Sequence, residues 1–86
     1  MSLLETFQAL SDQNRQKILE LLKKRDMAVQ DILKHLNITG ASLSHHLAIL
    51  KKTDLVSSER DGQQIIYSLN LSVFEELMKY ITKFTK

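Results

Sequence analysis

The sequence contains no cysteine, no proline and no tryptophan, and only two glycines, Gly40 and Gly62. Without cysteine there is no disulfide, no thiolate metal ligand and no thiol nucleophile. Without proline, and with so little glycine, almost nothing interrupts a helix, so a mostly α chain is expected. No apolar run approaches the roughly 18 residues that a membrane span requires. The start, Met1-Ser2-Leu3-Leu4-Glu5, also lacks the basic stretch and apolar core of an export signal. The expected setting is the cytoplasm, with no membrane partner. Charge of one sign is equally scarce: 12 Lys plus Arg face 10 Asp plus Glu, a net +2. That balance permits an acidic partner such as nucleic acid without demanding one.

What is present is an ordinary globular composition, 43% hydrophobic and 26% charged over 86 residues. A length of 86 residues allows one domain, expected to cover 1–86. A chain this short buries only about 60–65% of its unfolded surface, so a partner subunit would add to a thin core.

Leu3, Leu4, Phe7 and Leu10 recur at helical spacing and predict a first helix. Ser11-Asp12 offers an N-cap for a second, which carries Ile18, Leu19, Leu21 and Leu22 and ends near the cations Lys23-Lys24-Arg25. A third helix is expected from about Ala28 to Leu36, with Val29, Ile32, Leu33 and Leu36 inward. Asn37, which tolerates a left-handed conformation, would then turn the chain. A fourth helix fits Thr39 or Gly40 through Lys52, capped by Thr39. Two helices separated by only Asn37 to Thr39 outline a helix-turn-helix. Beyond it, Leu55–Glu59 and Gln64–Leu69 read as strands, with Arg60-Asp61-Gly62-Gln63 between them. Asp-Gly there is a strong hairpin signal. An amphipathic helix from about Leu71 to Phe84 closes the chain. The predicted fold is a winged helix-turn-helix: about five helices, with a two-stranded β-hairpin wing between the fourth and the last.

On the fourth helix Leu43, Leu47 and Leu50 fall within about 60° of one another and must face the core. Ala41, His45, Ala48 and Lys52 lie opposite, flanked by Ser42 and Ser44. That outward face is small and polar, as close approach to base edges in the DNA major groove requires. His45 points most directly outward. His46 sits at the edge of the apolar stripe, where packing into the core and contacting a ligand are equally open. At the wing tip, Arg60 and Gln63 are candidates for an adjacent minor groove, against the alternative of a solvated arginine paired with Glu59 or Asp61. Lys51 and Lys52, with Arg15 and Lys17 on the second helix, are the candidates for phosphate contact.

Ser42-Leu43-Ser44-His45-His46-Leu47-Ala48-Ile49-Leu50, then Leu55-Val56 and a glycine-containing wing closing on Tyr67-Ser68-Leu69, resembles the ArsR family of bacterial repressors. Ala9-Leu10-Ser11-Asp12, Arg15 and Lys17–Leu22 resemble the family's second helix, so the match runs from about residue 5 to residue 80. The chain is most similar to a branch of that family that senses no metal and includes an autorepressor. The resemblance implies a homodimer on an inverted-repeat operator in its own or a neighbouring promoter. It also implies that Ser42, Ser44 and His45 read the major groove and that Arg60 lies on the wing. Gly40 and Ala41 complete that reading surface where relatives often carry longer polar residues, and Gln13-Asn14 replaces a frequent Pro-Thr. The cysteine motif of metal-sensing members, E-L-C-V-C, falls on Asp26-Met27-Ala28-Val29-Gln30, so Ala28 and Gln30 stand where thiolates would bind. The family's other site uses Asp and His on the last helix, and residues 71–86 contain neither. No metal and no cofactor are expected.

The last helix carries more apolar surface than one packing contact uses. Phe74, Leu77, Met78 and Ile81 form a stripe that Val73, Tyr80 and Phe84 widen to roughly 160° of arc. With Leu3, Leu4 and Phe7 of the first helix, it suggests an isologous two-fold dimer. The alternative is that both stripes close the protomer's own core. An enzyme is not expected, because Ser44 and His45 are neighbours on a helix and cannot aim at each other, and no glycine-rich nucleophile or phosphate loop exists. The remaining rival is a winged helix used for protein–protein contact. Relief of repression is left open between a small-molecule inducer, a sequestering protein partner and dilution.

Overall fold

The computed structural model describes residues 2–85. Helix α1 (Leu3–Leu10) opens at Ser2, whose hydroxyl accepts from the Glu5 amide at 3.3 Å. Helix α2 (Gln13–Lys24) opens at Asp12, whose carboxylate accepts from the Arg15 amide at 3.0 Å. Helix α4 (Gly40–Lys52) opens at Thr39, whose hydroxyl accepts from the Ser42 amide at 3.1 Å. Each cap satisfies an amide that the first helical turn leaves without a partner. Two of the three were expected from the residue types at those positions, Asp12 and Thr39.

Between α2 and α4 the chain departs from expectation. Met27–Ala28 is a short strand, β1, and helix α3 spans only Val29–Lys34. The helix ends early because the His35 and Leu36 amides turn back to the Ile32 and Leu33 carbonyls at 3.0 and 3.2 Å, tightening the last turn. Five residues, not three, therefore separate α3 from α4. Asn37 keeps a negative φ, and the left-handed residue is Asp54, at φ 60° just after α4.

The wing pairs β2 (Val56–Asp61) with β3 (Gln64–Leu69), in antiparallel register from Val56 opposite Leu69 to Asp61 opposite Gln64. Its two turn residues are Gly62 and Gln63, one position later than the expected Asp-Gly centre. Gly62 takes φ +66° and Gln63 does not, the pattern of a type II′ turn. On the other side of β3, Met27 pairs with Tyr67 and Ala28 with Ile66. The sheet is thus three-stranded in the order β1-β3-β2, and the expected two-stranded hairpin is its outer part.

The core lies where α2, α3 and α4 meet the sheet. Ile18, Ile32, Leu43, Leu50 and Leu55 are completely buried, and Leu22, Met27, Leu47 and Val56 nearly so. Burying each large aliphatic side chain contributes about 1.5–3 kcal/mol. Because Leu43, Leu47 and Leu50 share one face of α4, that burial fixes which face of the helix points outward. Helix α5 (Leu71–Thr82) reaches this core mainly through Leu77, with Val73 and Phe74 packed at its margin.

Candidate nucleic-acid interface

The three buried leucines of α4 leave a continuous outer surface on the same helix. Gly40, Ala41, Ser44, His45 and Ala48 are exposed, and Ser42 is half-buried. A Cβ at Gly40 would meet nothing within 4 Å, so the start of this surface is open space. The side chains are small at the N-terminal end and end in the cations Lys51 and Lys52, both exposed. The arrangement offers hydroxyl and imidazole groups on a narrow ridge that can approach base edges closely.

At the wing, Arg60 folds across the turn, its Nε donating to the Gly62 carbonyl at 3.3 Å. Gln63 is exposed at the tip. Lys17 is exposed on α2 and faces an open groove of about 580 Å3 shared with Lys23, Lys24 and His35. Lys52 opens onto a different groove, shared with Glu5 and Arg15.

Arg15, a candidate phosphate contact, is half-exposed and also turns part of its guanidinium inward. Its Nε donates to the Ala9 carbonyl at 2.8 Å, and one terminal nitrogen donates to the Gln8 carbonyl at 3.3 Å. The other lies 3.1 Å from His46 Nδ1. His46 itself is buried, so the open choice for this ring falls on the packed side. The Asp12 carboxylate completes the group, with Oδ1 at 3.8 Å from the same imidazole nitrogen. The amide of Arg15 holds the Asp12 carboxyl below the usual aspartate range; burial opposes it, and the charges of His46 and Arg15 add smaller lowering effects. The sequence marks Asp12 as a cap but not the Arg15–His46 contact, which joins residues 31 positions apart on different helices.

The residues expected at a dimer surface divide into two groups. Leu77 is only 5% exposed and belongs to the protomer's own core, while Leu3 and Phe74 are half-buried against it. Leu77 alone corrects the expectation, since α5 needs an inward anchor before it can offer anything outward; Leu3 and Phe74 keep part of their surface open. Leu4 at 69%, Phe7 at 40%, Met78 at 61%, Ile81 at 45% and Phe84 at 73% remain exposed. Among the described residues no three His, Asp or Glu side chains come together in a metal-holding cluster, and no helix is long and apolar enough to cross a membrane.

Residues 12–58, from the cap of α2 into the wing, match the family model described as bacterial regulatory protein, arsR family. The chain belongs to the arsR family. The transcriptional repressor SdpR of Bacillus subtilis is 47% identical over 78 residues, covering 91% of this chain and 87% of SdpR. The arsenical resistance operon repressor of Staphylococcus aureus is 33% identical over 81% of this chain and 67% of its own length. Among solved structures, NolR from Sinorhizobium fredii superposes with a TM-score of 0.77 at 29% identity, over 93% of this chain and 80% of NolR. An ArsR-like regulator from Rhodococcus sp. RHA1 shares the fold at a TM-score of 0.86 and 24% identity, over 95% of this chain and 77% of that one. This arsR-family chain is a DNA-binding transcriptional regulator and not an enzyme.

Proposed function

We propose that the chain is a homodimeric repressor that binds an inverted-repeat operator without sensing a metal ion. The observation that carries this reading is the exposed face of α4, small and polar along its first half and cationic at its end, held outward by three buried leucines. Gly40, Ala41, Ser42, Ser44 and His45 enter the major groove, where hydroxyl and imidazole groups read base edges. Arg60 and Gln63 reach the flanking minor groove from the wing, and Lys17, Lys51 and Lys52 supply phosphate contacts. Arg15 uses three of its five N–H donors inside the protomer and, half-exposed beside Lys52, keeps two for a phosphate.

Repression is supported by the 47% identity to a protein named as a transcriptional repressor. Two-fold pairing is supported by the apolar side chains that α1 and α5 leave exposed, Leu4, Phe7, Met78, Ile81 and Phe84, on one domain whose terminal helices then form the interface. A two-fold dimer sets its reading helices about 34–36 Å apart on one face of DNA, which makes the operator an inverted repeat. Regulation without metal is supported by Ala28 and Gln30 at the positions of the family's thiolates. The place of action is the cytoplasm. Sedimentation of the chain with a duplex enriched from a random pool tests the assembly. Two chains per duplex are expected, and one chain per duplex contradicts the dimer.

A further inference from the structure

The Arg15–His46 contact is not used by any of the DNA contacts above. His46 lies on α4 directly beside the outward His45, yet its ring is buried at 8% exposure. Its Nδ1 faces two groups at the start of α2, the Arg15 guanidinium at 3.1 Å and Asp12 Oδ1 at 3.8 Å. The same guanidinium holds the carbonyls of Ala9 and Gln8 at the end of α1. One arginine therefore clamps the end of α1 to the middle of the reading helix.

A guanidinium can only donate. The 3.1 Å contact is a hydrogen bond only while Nδ1 keeps its lone pair, in the neutral tautomer that carries its proton on Nε2. A proton on Nδ1 reverses both relationships: the new N–H opposes a cationic donor, and the Asp12 carboxylate becomes its acceptor. A shift of roughly 0.6–0.9 Å toward Asp12 completes the exchange. Such a shift does not stay local, because the ring is itself buried at the edge of the stripe formed by Leu43, Leu47 and Leu50, where close packing leaves no slack. The other ionisable groups around the clamp are His45, with ring centroids 5.8 Å apart, and Glu5 of α1 and Lys52 of α4, which share a groove with Arg15.

We propose that Arg15 and His46 are positioning residues for DNA recognition, and that proton uptake at His46 Nδ1 passes the ring from Arg15 to Asp12 and weakens DNA binding. This inference rests on the outer face of α4 being the DNA contact.

The test compares the parent chain with His46→Asn on a duplex enriched from a random pool, at constant ionic strength from about pH 8 to about pH 5.5. Asparagine places an amide oxygen where Nδ1 stands and does not titrate. Both proteins keep His35 and His45, so the ratio of parent to variant affinity isolates His46. That ratio falls about fivefold or more toward the lower pH. A ratio constant across the range overturns the proposal. If His46→Asn fails to fold, nitrogen NMR of the parent decides. The expected spectrum shows the Nε2–H tautomer at the higher pH, with the amides of Leu43 to Leu50 following the ring's titration. An Nδ1–H tautomer, or amides indifferent to the titration, overturns it. The spectrum needs no DNA, so if no duplex is enriched, the DNA-contact reading fails and the clamp stands or falls on the spectrum alone.

Discussion

The Leu55 amide donates to the Leu50 carbonyl at 3.0 Å, closing α4 across a left-handed residue, Asp54. The Asp54 amide reaches the Lys51 carbonyl, also at 3.0 Å, and the two leucine side chains are both completely buried. This is the Schellman arrangement, with an aspartate where glycine is usual. It turns the chain from α4 straight into the wing, and so fixes the two elements proposed to contact DNA relative to each other.

Asp54→Gly should therefore raise stability by about 1 kcal/mol, by removing the side-chain strain of a left-handed backbone. Asp54→Val should lower it, because a β-branched residue is least tolerant there. Urea denaturation of the three proteins checks both directions, and equal midpoints would contradict the strain argument.

Asp12 links stability to pH. Its carboxylate is favoured in the folded chain, above all by the Arg15 amide, so its folded pKa lies below the unfolded value. The stabilisation is complete above the ordinary aspartate range and is lost as pH falls through the lowered folded value. Asp12→Asn keeps an N-cap acceptor but cannot titrate. The stability advantage of the parent over Asp12→Asn should shrink as pH is lowered from about 6 to about 3. Thermal melts at several pH values measure it, and a constant difference would contradict the assignment.

Leu77 and Met78 are neighbours on α5 with opposite environments, one buried and the other 61% exposed. Leu77→Ala should cost about 2–5 kcal/mol of folding stability. Met78→Lys should leave the protomer folded and shift the sedimentation coefficient from dimer to monomer. A Met78→Lys chain that remains dimeric would move the interface away from α5.

The reading face separates specificity from general affinity. His45→Ala or Ser44→Ala should cost about 1–3 kcal/mol on the preferred duplex and relax discrimination against altered bases. Lys52→Ala should weaken binding to all sequences alike and reduce the salt slope by about 1. Fluorescence anisotropy on matched and altered duplexes distinguishes the two patterns.

The fold was largely legible in the residues because its signals are local. Asp12 and Thr39 cap helices where their side chains can reach an amide three residues on, and β3 spans the Gln64–Leu69 segment expected from its residue types. The three leucines of α4 face inward as their spacing requires. Strand β1 was not legible, since two residues carry no periodicity and Met27–Ala28 is a strand only because β3 lies beside it. The same is true of Arg15 and His46, whose partnership exists only once α1, α2 and α4 have packed. The stripe on α5 shows excess apolar surface but not which part of it the protomer itself consumes, so its spacing does not separate Leu77 from its exposed neighbours.

The most direct test of the central claim is the affinity of a duplex enriched from a random pool, measured across a salt series. The account predicts an inverted repeat with half-sites about one helical turn apart, and binding that weakens steeply as salt rises and counterion release loses its drive. No enriched repeat, or weak binding indifferent to salt, would contradict it and would move the exposed faces of α4 and the wing to a protein partner.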